Sequence, residues 1–227
     1  MRKERGMMQA EIKELFDLEH TMAGKYLMEY TYPWEALARL SDAIYEIGNN
    51  LSGDDYHKID QDVWIHATAK VAKSASITGP CIIGAYSEVR HCAYIRGSAL
   101  VGAHCVVGNS VELKNVILFD HVQTPHYNYV GDSILGHYAH MGAGSITSNV
   151  KGDKTLVVIQ DGEELYETNR KKVGAFLGDY VEVGCNSVLN PGTIIGRRTS
   201  IYPLTSMLGV IGEDCIVKSM KDITPRR

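Results

Sequence analysis

Apolar residues recur at every sixth position through much of the chain, and this spacing restricts its fold more than any other feature. The first run comprises Ile65, Val71, Ile77, Ile83, Val89, Ile95, Val101, Val107, Leu113 and Phe119. A second run comprises Leu177, Val183, Leu189, Ile195, Ile201 and Met207. A period of six fits neither the helix nor the ordinary strand. It indicates a hexapeptide β-helix, an all-β solenoid of parallel strands.

Glycine often follows the residue that keeps the period. This is so at Gly84, Gly102, Gly108, Gly184 and Gly196. Glycine tolerates backbone dihedrals that other residues avoid. The sequence therefore predicts that these glycines form the corners of the coil.

The bulk properties exclude several classes of protein. The net charge of −4 offers no broad basic field for nucleic acid. No apolar stretch approaches the roughly 18 residues that span a bilayer, and the N-terminus lacks the apolar core of a signal peptide. The five cysteines are odd in number and form no CxxC pair, so we expect reduced, mostly apolar thiols in a cytoplasmic protein.

Residues 1–60 are predicted to form a helical N-terminal cap. Helical spacing is seen for Met8, Ile12, Leu15 and Phe16. A second helix is expected to start at Pro33, a residue suited to the first turn, and to end at Gly48. These helices are expected to cover the open end of the solenoid, whose last apolar layer would otherwise be wet. The alternative is an adaptor surface for a partner protein.

Residues 61–227 are predicted to form the β-helix, with two departures from the repeat. The period slips by one near residue 130, and the segment 120–129 does not fit it, which suggests a functional loop on a rigid scaffold. The second departure is an insertion at about 150–173. Its sequence predicts a β-hairpin with a turn at Asp161-Gly162.

Three segments resemble a known family. They are Val107–Lys114, His126–Asp132 and Met141–Asn149. Their sequences and spacings are similar to the C-terminal acetyltransferase domain of the bacterial bifunctional enzyme that makes UDP-N-acetylglucosamine. The later segment Lys171–Asn190 is more similar to the acetyltransferase halves of archaeal-type sugar-phosphate nucleotidyltransferases. The resemblance implies a left-handed β-helix, acetyl-CoA as co-substrate, and a homotrimer with active sites between adjacent solenoids.

The resemblance also implies an N-acetylation of an amino-sugar 1-phosphate, with glucosamine-1-phosphate favoured over galactosamine-1-phosphate. The residue that matches the general base is His126, and imidazole titrates close enough to neutral pH to accept the proton of an attacking amine. The backbone N–H of Ala143 matches the donor to the developing oxyanion. Asn149 matches an asparagine that orients the substrate.

Four further residues match substrate-binding positions of the family. Arg96 and Lys114 match the cations that hold the sugar phosphate, which needs charge-assisted donors. Tyr129 matches a tyrosine beside the sugar. His140, which stands where relatives often have asparagine, is expected to shape the sugar pocket together with Tyr129 and Asn149.

The cofactor-binding positions fall at Cys185, Tyr202 and Pro203, where the chain departs from the family. Cys185 replaces the serine that touches the acetyl end of acetyl-CoA, and we expect it to be a packed small residue. Pro203 replaces a residue that contacts the cofactor through its backbone, and proline has no N–H. The candidates for meeting the cofactor phosphates are Arg197, Arg198, Arg226 and Arg227.

Two other classes of function remain open. His121 and His126 are spaced like part of a zinc site in hexapeptide carbonic anhydrases, although Tyr127 replaces the glycine of that family. A solenoid with an altered cofactor site could also be a non-catalytic scaffold that binds sugar phosphate and partners a separate nucleotidyltransferase. Nothing in residues 1–60 resembles a nucleotidyltransferase domain.

Overall fold

The computed structural model describes residues 10–226. In this part of the chain the helices are α1 (Ile12–Leu15), α2 (Gly24–Leu27), α3 (Pro33–Ala36) and α4 (Leu40–Asn49), with a 3-10 helix at Leu18–His20. The strands are β1 (Tyr56–Asp60), β2 (Val63–His66), β3 (Lys70–Val71), β4 (Ser76–Ile77), β5 (Cys81–Ile83), β6 (Glu88–Val89), β7 (Tyr94–Ile95), β8 (Ala99–Val101), β9 (Val106–Asn109), β10 (Glu112–Leu118), β11 (Gln123–His126), β12 (Tyr129–Leu135), β13 (His140–Met141), β14 (Ile146–Thr147), β15 (Val158–Asp161), β16 (Glu164–Glu167), β17 (Ala175–Leu177), β18 (Glu182–Val183), β19 (Val188–Leu189), β20 (Thr193–Ile195), β21 (Ser200–Ile201), β22 (Ser206–Met207), β23 (Val210–Ile211), β24 (Cys215–Ser219) and β25 (Asp222–Pro225). None of these helices is long and apolar enough to cross a membrane.

Parallel pairing of successive coils divides the strands into three faces. Face 1 contains β2, β5, β8, the end of β10, the end of β12, β17, β20 and β23. Face 2 contains β3, β6, β9, β11, β13, β18, β21 and β24. Face 3 contains β4, β7, the start of β10, the start of β12, β14, β19 and β22. The predicted left-handed parallel β-helix with a helical N-terminal segment and a hairpin insertion is confirmed.

The coil length changes along the solenoid. Ile83 pairs with Val101, so an early coil takes 18 residues. Val101 then pairs with Leu118, so the next coil takes 17. The sequence prediction that Phe119 keeps the period is therefore wrong by one residue. Phe119 is fully buried as well, and its ring centroid lies 5.1 Å from that of Phe16, which explains why hydrophobicity alone did not reveal the slip.

The segment 120–129 is a regular part of the solenoid, so the prediction of an irregular loop is wrong. It contains β11, which pairs with β9 and β13 on face 2. Thr124 takes the inward position opposite Val107 and is fully buried, with its hydroxyl donating to the carbonyl of Val106 at 3.1 Å. A polar residue at the inward position interrupts the apolar pattern without interrupting the coil.

These glycines are needed because successive coils stack closely on them, and not because their backbone requires a positive φ. None of the five glycines named above has a positive φ. A Cβ at Gly84 would lie 2.5 Å from the carbonyl carbon of Gly102 in the next coil, and one at Gly108 would lie 1.6 Å from the carbonyl oxygen of Pro125. The residues with a positive φ lie two positions after these glycines and are not glycines themselves. They are Tyr86, His104, Ser110, Asn186 and Arg198.

The helical N-terminal segment lies along face 1 and does not close the end of the solenoid as predicted. The outward residues of face 1 are apolar and fully buried, namely Ile82, Leu100, Ile117, Ile134, Phe176 and Ile194. At one end of the segment Gly48 of α4 packs on Trp64 of the first coil. At the other end Arg197 donates to the carbonyl of Lys13 at 3.3 Å. An apolar outer face therefore binds the segment along its length.

The predicted division of this segment into two helices is too simple. Pro33 does begin a helix, but α3 ends at Ala36 and α4 begins at Leu40. Ile12 and Leu15 are buried in α1, which has a single turn. Met8 lies outside the described residues.

The insertion forms the predicted hairpin, but its turn lies one residue later than the predicted Asp161-Gly162. Strands β15 and β16 are antiparallel, and Gly162 and Glu163 connect the paired residues Asp161 and Glu164. Gly162 has φ +60, which glycine adopts without strain. The ring of Tyr166 lies 5.4 Å from that of Tyr32, so the hairpin contacts the helical segment.

A histidine cluster joins the helical segment to the solenoid. The rings of His20 and His137 stack with centroids 3.7 Å apart, and His121 lies 5.4 Å from His137. Burial lowers the pKa of His121 and of His137. The neighbouring His104 lowers the pKa of His121 further, and His20 lowers that of His137 further. The carboxylate of Asp120 opposes this effect on both pKa values.

We expect this cluster to make the protein sensitive to acid. A histidine whose pKa is lower in the folded state contributes stability that is present above its unfolded pKa, about 6.5, and is lost as the pH falls below that value. The unfolding temperature should therefore fall between pH 7 and pH 5, and His137→Gln should flatten that dependence. Calorimetry on both proteins across this range measures it, and identical pH slopes would contradict the assignment.

Candidate functional site

Four of the predicted site residues lie in one column at the edge between face 2 and face 3. They are His126, Ala143, Cys185 and Pro203, in four consecutive coils. The backbone carbonyls of His126, Ala143 and Cys185 each accept a hydrogen bond from the coil that follows, at 3.0, 2.9 and 3.0 Å. We call this set the corner column. It brings the predicted base, the predicted oxyanion donor and two predicted cofactor positions onto one edge.

His126 ends β11 with an exposed side chain. Its backbone N–H donates to Oδ1 of Asn128 at 3.2 Å, and Asn128 is buried and donates in turn to the carbonyl of Gly142 at 2.8 Å. These bonds fix the backbone of the corner. The imidazole itself makes no hydrogen bond to any residue that the structure describes, so both ring nitrogens are open to a ligand.

The backbone N–H groups of the corner column are not used in stacking. The N–H of Ala143 donates to no other described residue, and the same holds for Cys185. Proline is therefore tolerated at the equivalent position, Pro203. Pro203 packs so closely on Gly184 that a Cβ added to Gly184 would lie 2.3 Å from the nitrogen of the proline. Cys185 is exposed, so the prediction that it is a packed small residue is wrong.

Tyr202 precedes the column in its coil. Its side chain is exposed, and the ammonium of Lys218 lies 5.9 Å from the centre of its ring. Its carbonyl accepts from the hydroxyl of Thr205 at 2.7 Å. The side chain of Tyr202 is thus available on the surface beside Pro203.

A second cluster lies at the opposite edge of face 3 and centres on Asp132. Nζ of Lys114 lies 2.9 Å from Oδ1 of Asp132, and Nδ2 of Asn115 lies 2.8 Å from the same oxygen. Nδ2 of Asn149 donates to Oδ2 of Asp132 at 2.6 Å and to the hydroxyl of Tyr129 at 3.1 Å. We call these five residues the aspartate cluster. Three of them were predicted from the sequence, whereas Asp132 and Asn115 were missed.

The remaining predicted cation is beside this cluster. Arg96 pairs with Glu112 at 2.7 Å, and this hydrogen bond raises the pKa of the arginine. Glu112 lies opposite Tyr129 in the register of face 3. Burial raises the pKa of Tyr129, and the carboxylates of Asp132 and Glu112 raise it further. Tyr129 therefore stays a neutral phenol at physiological pH.

His140 does not join these residues within one chain. It lies on face 2, and its Nδ1 is 2.7 Å from Oε2 of Glu182. Tyr129 lies on face 3, and Asn149 lies at the edge of face 3 that is opposite the corner column. The structure therefore brings these two residues together without His140.

The candidate arginines lie away from the corner column. Arg198 pairs with Asp214 at 2.6 Å, at the other edge of face 2 from Cys185. Arg226 donates to the carbonyl of Arg198 at 2.8 Å, and both line a groove of about 720 Å³. Arg197 lies 3.6 Å from Asp179 beneath the helical segment. Arg227 lies outside the described residues.

The two histidines of the zinc hypothesis lie at opposite edges of face 2. His121 stacks on His104 with ring centroids 4.7 Å apart, whereas His126 is in the corner column. Between residues 10 and 226, no group of three or more histidines, cysteines or acidic residues could hold a metal ion.

The three-faced coil and its periodic corners define a hexapeptide-repeat solenoid. More particularly, the chain belongs to the family described as GMPPB C-terminal domain, whose model matches residues 77–202, more than half of the chain.

Curated relatives confirm the predicted resemblance. Bifunctional protein GlmU of Methanococcus maripaludis strain C5 is 32% identical over 200 residues, which are 86% of this chain and 45% of the relative. The bifunctional sugar-1-phosphate nucleotidylyltransferase/acetyltransferase of Sulfurisphaera tokodaii is 31% identical over 181 residues, which are 78% of this chain and 45% of the relative. The chain thus spans a little under half the length of these relatives.

Solved structures give a more distant likeness. The acetyltransferase domain of PglB from Neisseria gonorrhoeae, solved in complex with acetyl coenzyme A, is 16% identical, with a TM-score of 0.37. The match covers 72% of this chain and 57% of that one. This likeness is too remote to indicate a function.

Proposed function

We propose that this chain transfers the acetyl group of acetyl-CoA to the amine of an amino-sugar 1-phosphate. Glucosamine-1-phosphate is the favoured acceptor and galactosamine-1-phosphate the second. The observation that carries the proposal is the corner column, which aligns His126, Ala143 and Cys185 along one edge of face 3. The family, and the relative named bifunctional sugar-1-phosphate nucleotidylyltransferase/acetyltransferase, support it.

His126 acts as the general base in this proposal. An amine attacks a thioester only through a free lone pair, so a group that accepts its proton must stand beside it. The exposed imidazole of His126 takes that proton as the new C–N bond forms. The carbonyl oxygen gains negative charge at this stage, and the free N–H of Ala143 stabilises it. The C–S bond then breaks, and the CoA thiolate leaves and is protonated.

The phosphate is proposed to bind Arg96 and Lys114, each of which pairs with a carboxylate in the structure. The side chain of Arg96 is 46% exposed and that of Glu112 is 34% exposed, and a solvent-screened ion pair of this kind contributes little. Phosphate can therefore displace Glu112 at little cost. Lys114 keeps its buried partner Asp132 and offers a remaining N–H, because an ammonium group has three donors.

Lys114→Ala is expected to raise the KM for the sugar phosphate by about tenfold or more, since a hydrogen bond to a charged group contributes about 1.5–3 kcal/mol. The KM for acetyl-CoA should change less. Steady-state kinetics with each substrate varied in turn measures both constants. Lys25→Ala is the control, because this exposed lysine lies on α2 of the helical segment, over face 1 and away from the site. An equal change in both KM values would refute the phosphate assignment.

The direct test of the activity follows free thiol release. Purified protein is mixed with acetyl-CoA and glucosamine-1-phosphate, with galactosamine-1-phosphate in a parallel reaction. Release that depends on the sugar supports the proposal and ranks the two acceptors. A folded protein that releases no thiol with either sugar would refute it.

A non-catalytic scaffold is the second candidate, and Pro203 is the observation that favours it, since this position offers no N–H to a cofactor. Such a scaffold would bind the sugar phosphate and partner a separate nucleotidyltransferase. Calorimetric titration discriminates between the two functions, because only the enzyme needs to bind acetyl-CoA.

We further propose a homotrimer. Face 3 bears the predicted substrate residues at both of its edges, and its outward residues are exposed or half-buried from Ser76 to Ser206, so it offers a surface that a neighbouring solenoid can cover. Light scattering on the purified protein measures the mass, and a monomer at working concentration would contradict this assembly.

A further inference from the structure

We propose that Asp132 is a positioning residue that holds Lys114 and Asn149 in the geometry that the sugar phosphate requires. The inference rests on the proposed function and deepens it, because it assigns the part of the site that sets substrate affinity to a residue that does not touch the substrate.

The carboxylate of Asp132 is almost completely buried, with 1% of its side chain exposed. Both of its oxygens are used. Oδ1 accepts from Lys114 at 2.9 Å and from Asn115 at 2.8 Å, and Oδ2 accepts from Asn149 at 2.6 Å and from Lys114 at 3.2 Å. A buried carboxylate that loses such partners is strongly disfavoured, so the side chains around it are fixed relative to one another.

The three donors come from the two coils on either side of Asp132. Lys114 and Asn115 belong to the coil before Asp132, and Asn149 belongs to the coil after it. Lys114 is about 29% exposed, so the same ammonium group contacts Asp132 and reaches the surface. Asn149 also donates to Tyr129. One carboxylate thereby sets the relative positions of three predicted substrate-binding side chains.

The need for a carboxylate at this corner is not explained by the fold. Asp132 has φ +49, a conformation that asparagine tolerates as well as aspartate does. Asn115, at the equivalent corner of the preceding coil, has φ +56 and serves there as an amide. Stacked asparagines would satisfy the corner. The negative charge is explained by Lys114, whose ammonium it binds and orients.

Asp132→Asn therefore removes the negative charge and keeps a side chain that tolerates the positive φ of this corner. We expect the KM for the sugar phosphate to rise by about tenfold, with a smaller change in kcat and in the KM for acetyl-CoA. In a Lys114→Met background the same substitution should add clearly less, because Lys114, one of the two residues through which Asp132 acts, is then missing. Asp179→Asn is the matched control.

Asp179 is also a buried carboxylate, but it accepts backbone N–H groups of Asp17 and His137, at 2.8 and 2.9 Å. Its substitution should lower the unfolding temperature and leave the KM for the sugar phosphate unchanged. A folded Asp132→Asn protein with an unchanged KM, or one that adds its full effect in the Lys114→Met background, would overturn the inference.

A second measurement does not depend on acetyl transfer. Acetic anhydride modifies free lysine amines, and mass spectrometry gives the modification rate at Lys114. We expect a severalfold faster rate in Asp132→Asn than in the wild-type protein, and the wild-type rate in Asp179→Asn. If the wild-type protein acetylates neither sugar, the proposed function fails, whereas this rate still decides whether Asp132 holds Lys114. Equal rates in wild type and Asp132→Asn would refute the positioning role.

Discussion

His126→Ala is expected to lower kcat by a factor of about 10² or more, the contribution that a positioned general base typically makes. The KM for acetyl-CoA should change little, because the imidazole meets the amine and not the cofactor in the proposed reaction. The substitution should not unfold the protein, since the side chain is exposed and makes no hydrogen bond to the described residues. Thiol release under saturating substrates measures kcat.

His91→Ala is the matched control. His91 lies at the equivalent corner two coils before His126. It is also exposed, and its Nδ1 lies 2.6 Å from the hydroxyl of Ser74. It shares the local geometry of His126 but lies away from Ala143. We expect nearly full activity from His91→Ala. Full activity in purified His126→Ala would refute the mechanism, and an equal loss in both variants would show that the loss does not report the base.

The solenoid could be predicted from the sequence because the period of six is the number of residues on each of the three faces of an 18-residue coil. Each inward position needs an apolar side chain once per face, so the run from Ile65 to Leu113 repeats at six wherever the coil takes 18 residues. The hairpin could be predicted as well, since Asp161-Gly162 between two strand-like segments is a strong local signal.

Other parts of the fold depend on contacts that a periodic pattern does not encode. Leu118 and Phe119 are both buried, so the pattern could not show which of them points inward. The position of the helical segment follows from the outward residues of face 1. Ile117 and Ile134 are apolar where a solvated face would be polar, and this signal was present in the sequence.

The candidate site divides in the same way. The corner column follows from spacing, because equivalent corners of stacked coils must lie above one another, as His126 and Ala143 do. The position of His140 on face 2 could also have been read, since it directly precedes the inward Met141. Asp132 could not be assigned a role, because its importance lies in the donors that converge on it from two other coils.

Gly108→Ala is expected to lower the free energy of unfolding by about 3 kcal/mol or more, at the upper end of the cost of overpacking. The added Cβ would lie 1.6 Å from the carbonyl oxygen of Pro125 and 2.1 Å from its carbonyl carbon. Both atoms belong to the backbone, so a side-chain rotation cannot relieve the clash. Pro125 directly precedes His126, so a shift of this coil should also lower kcat.

Alanine at position 108 distinguishes two possible reasons for a glycine, namely a positive φ and a lack of space for a Cβ. Gly108 does not have a positive φ, so its backbone conformation suits alanine, and a loss of stability reports the contact with the next coil alone. Gly152→Ala is the control, because its Cβ would meet no atom within 4 Å, and we expect a change within about 1 kcal/mol. The unfolding temperature of Gly108→Ala should fall by about 6–12 °C. An unchanged temperature would mean that the coils at this corner do not need glycine in order to stack.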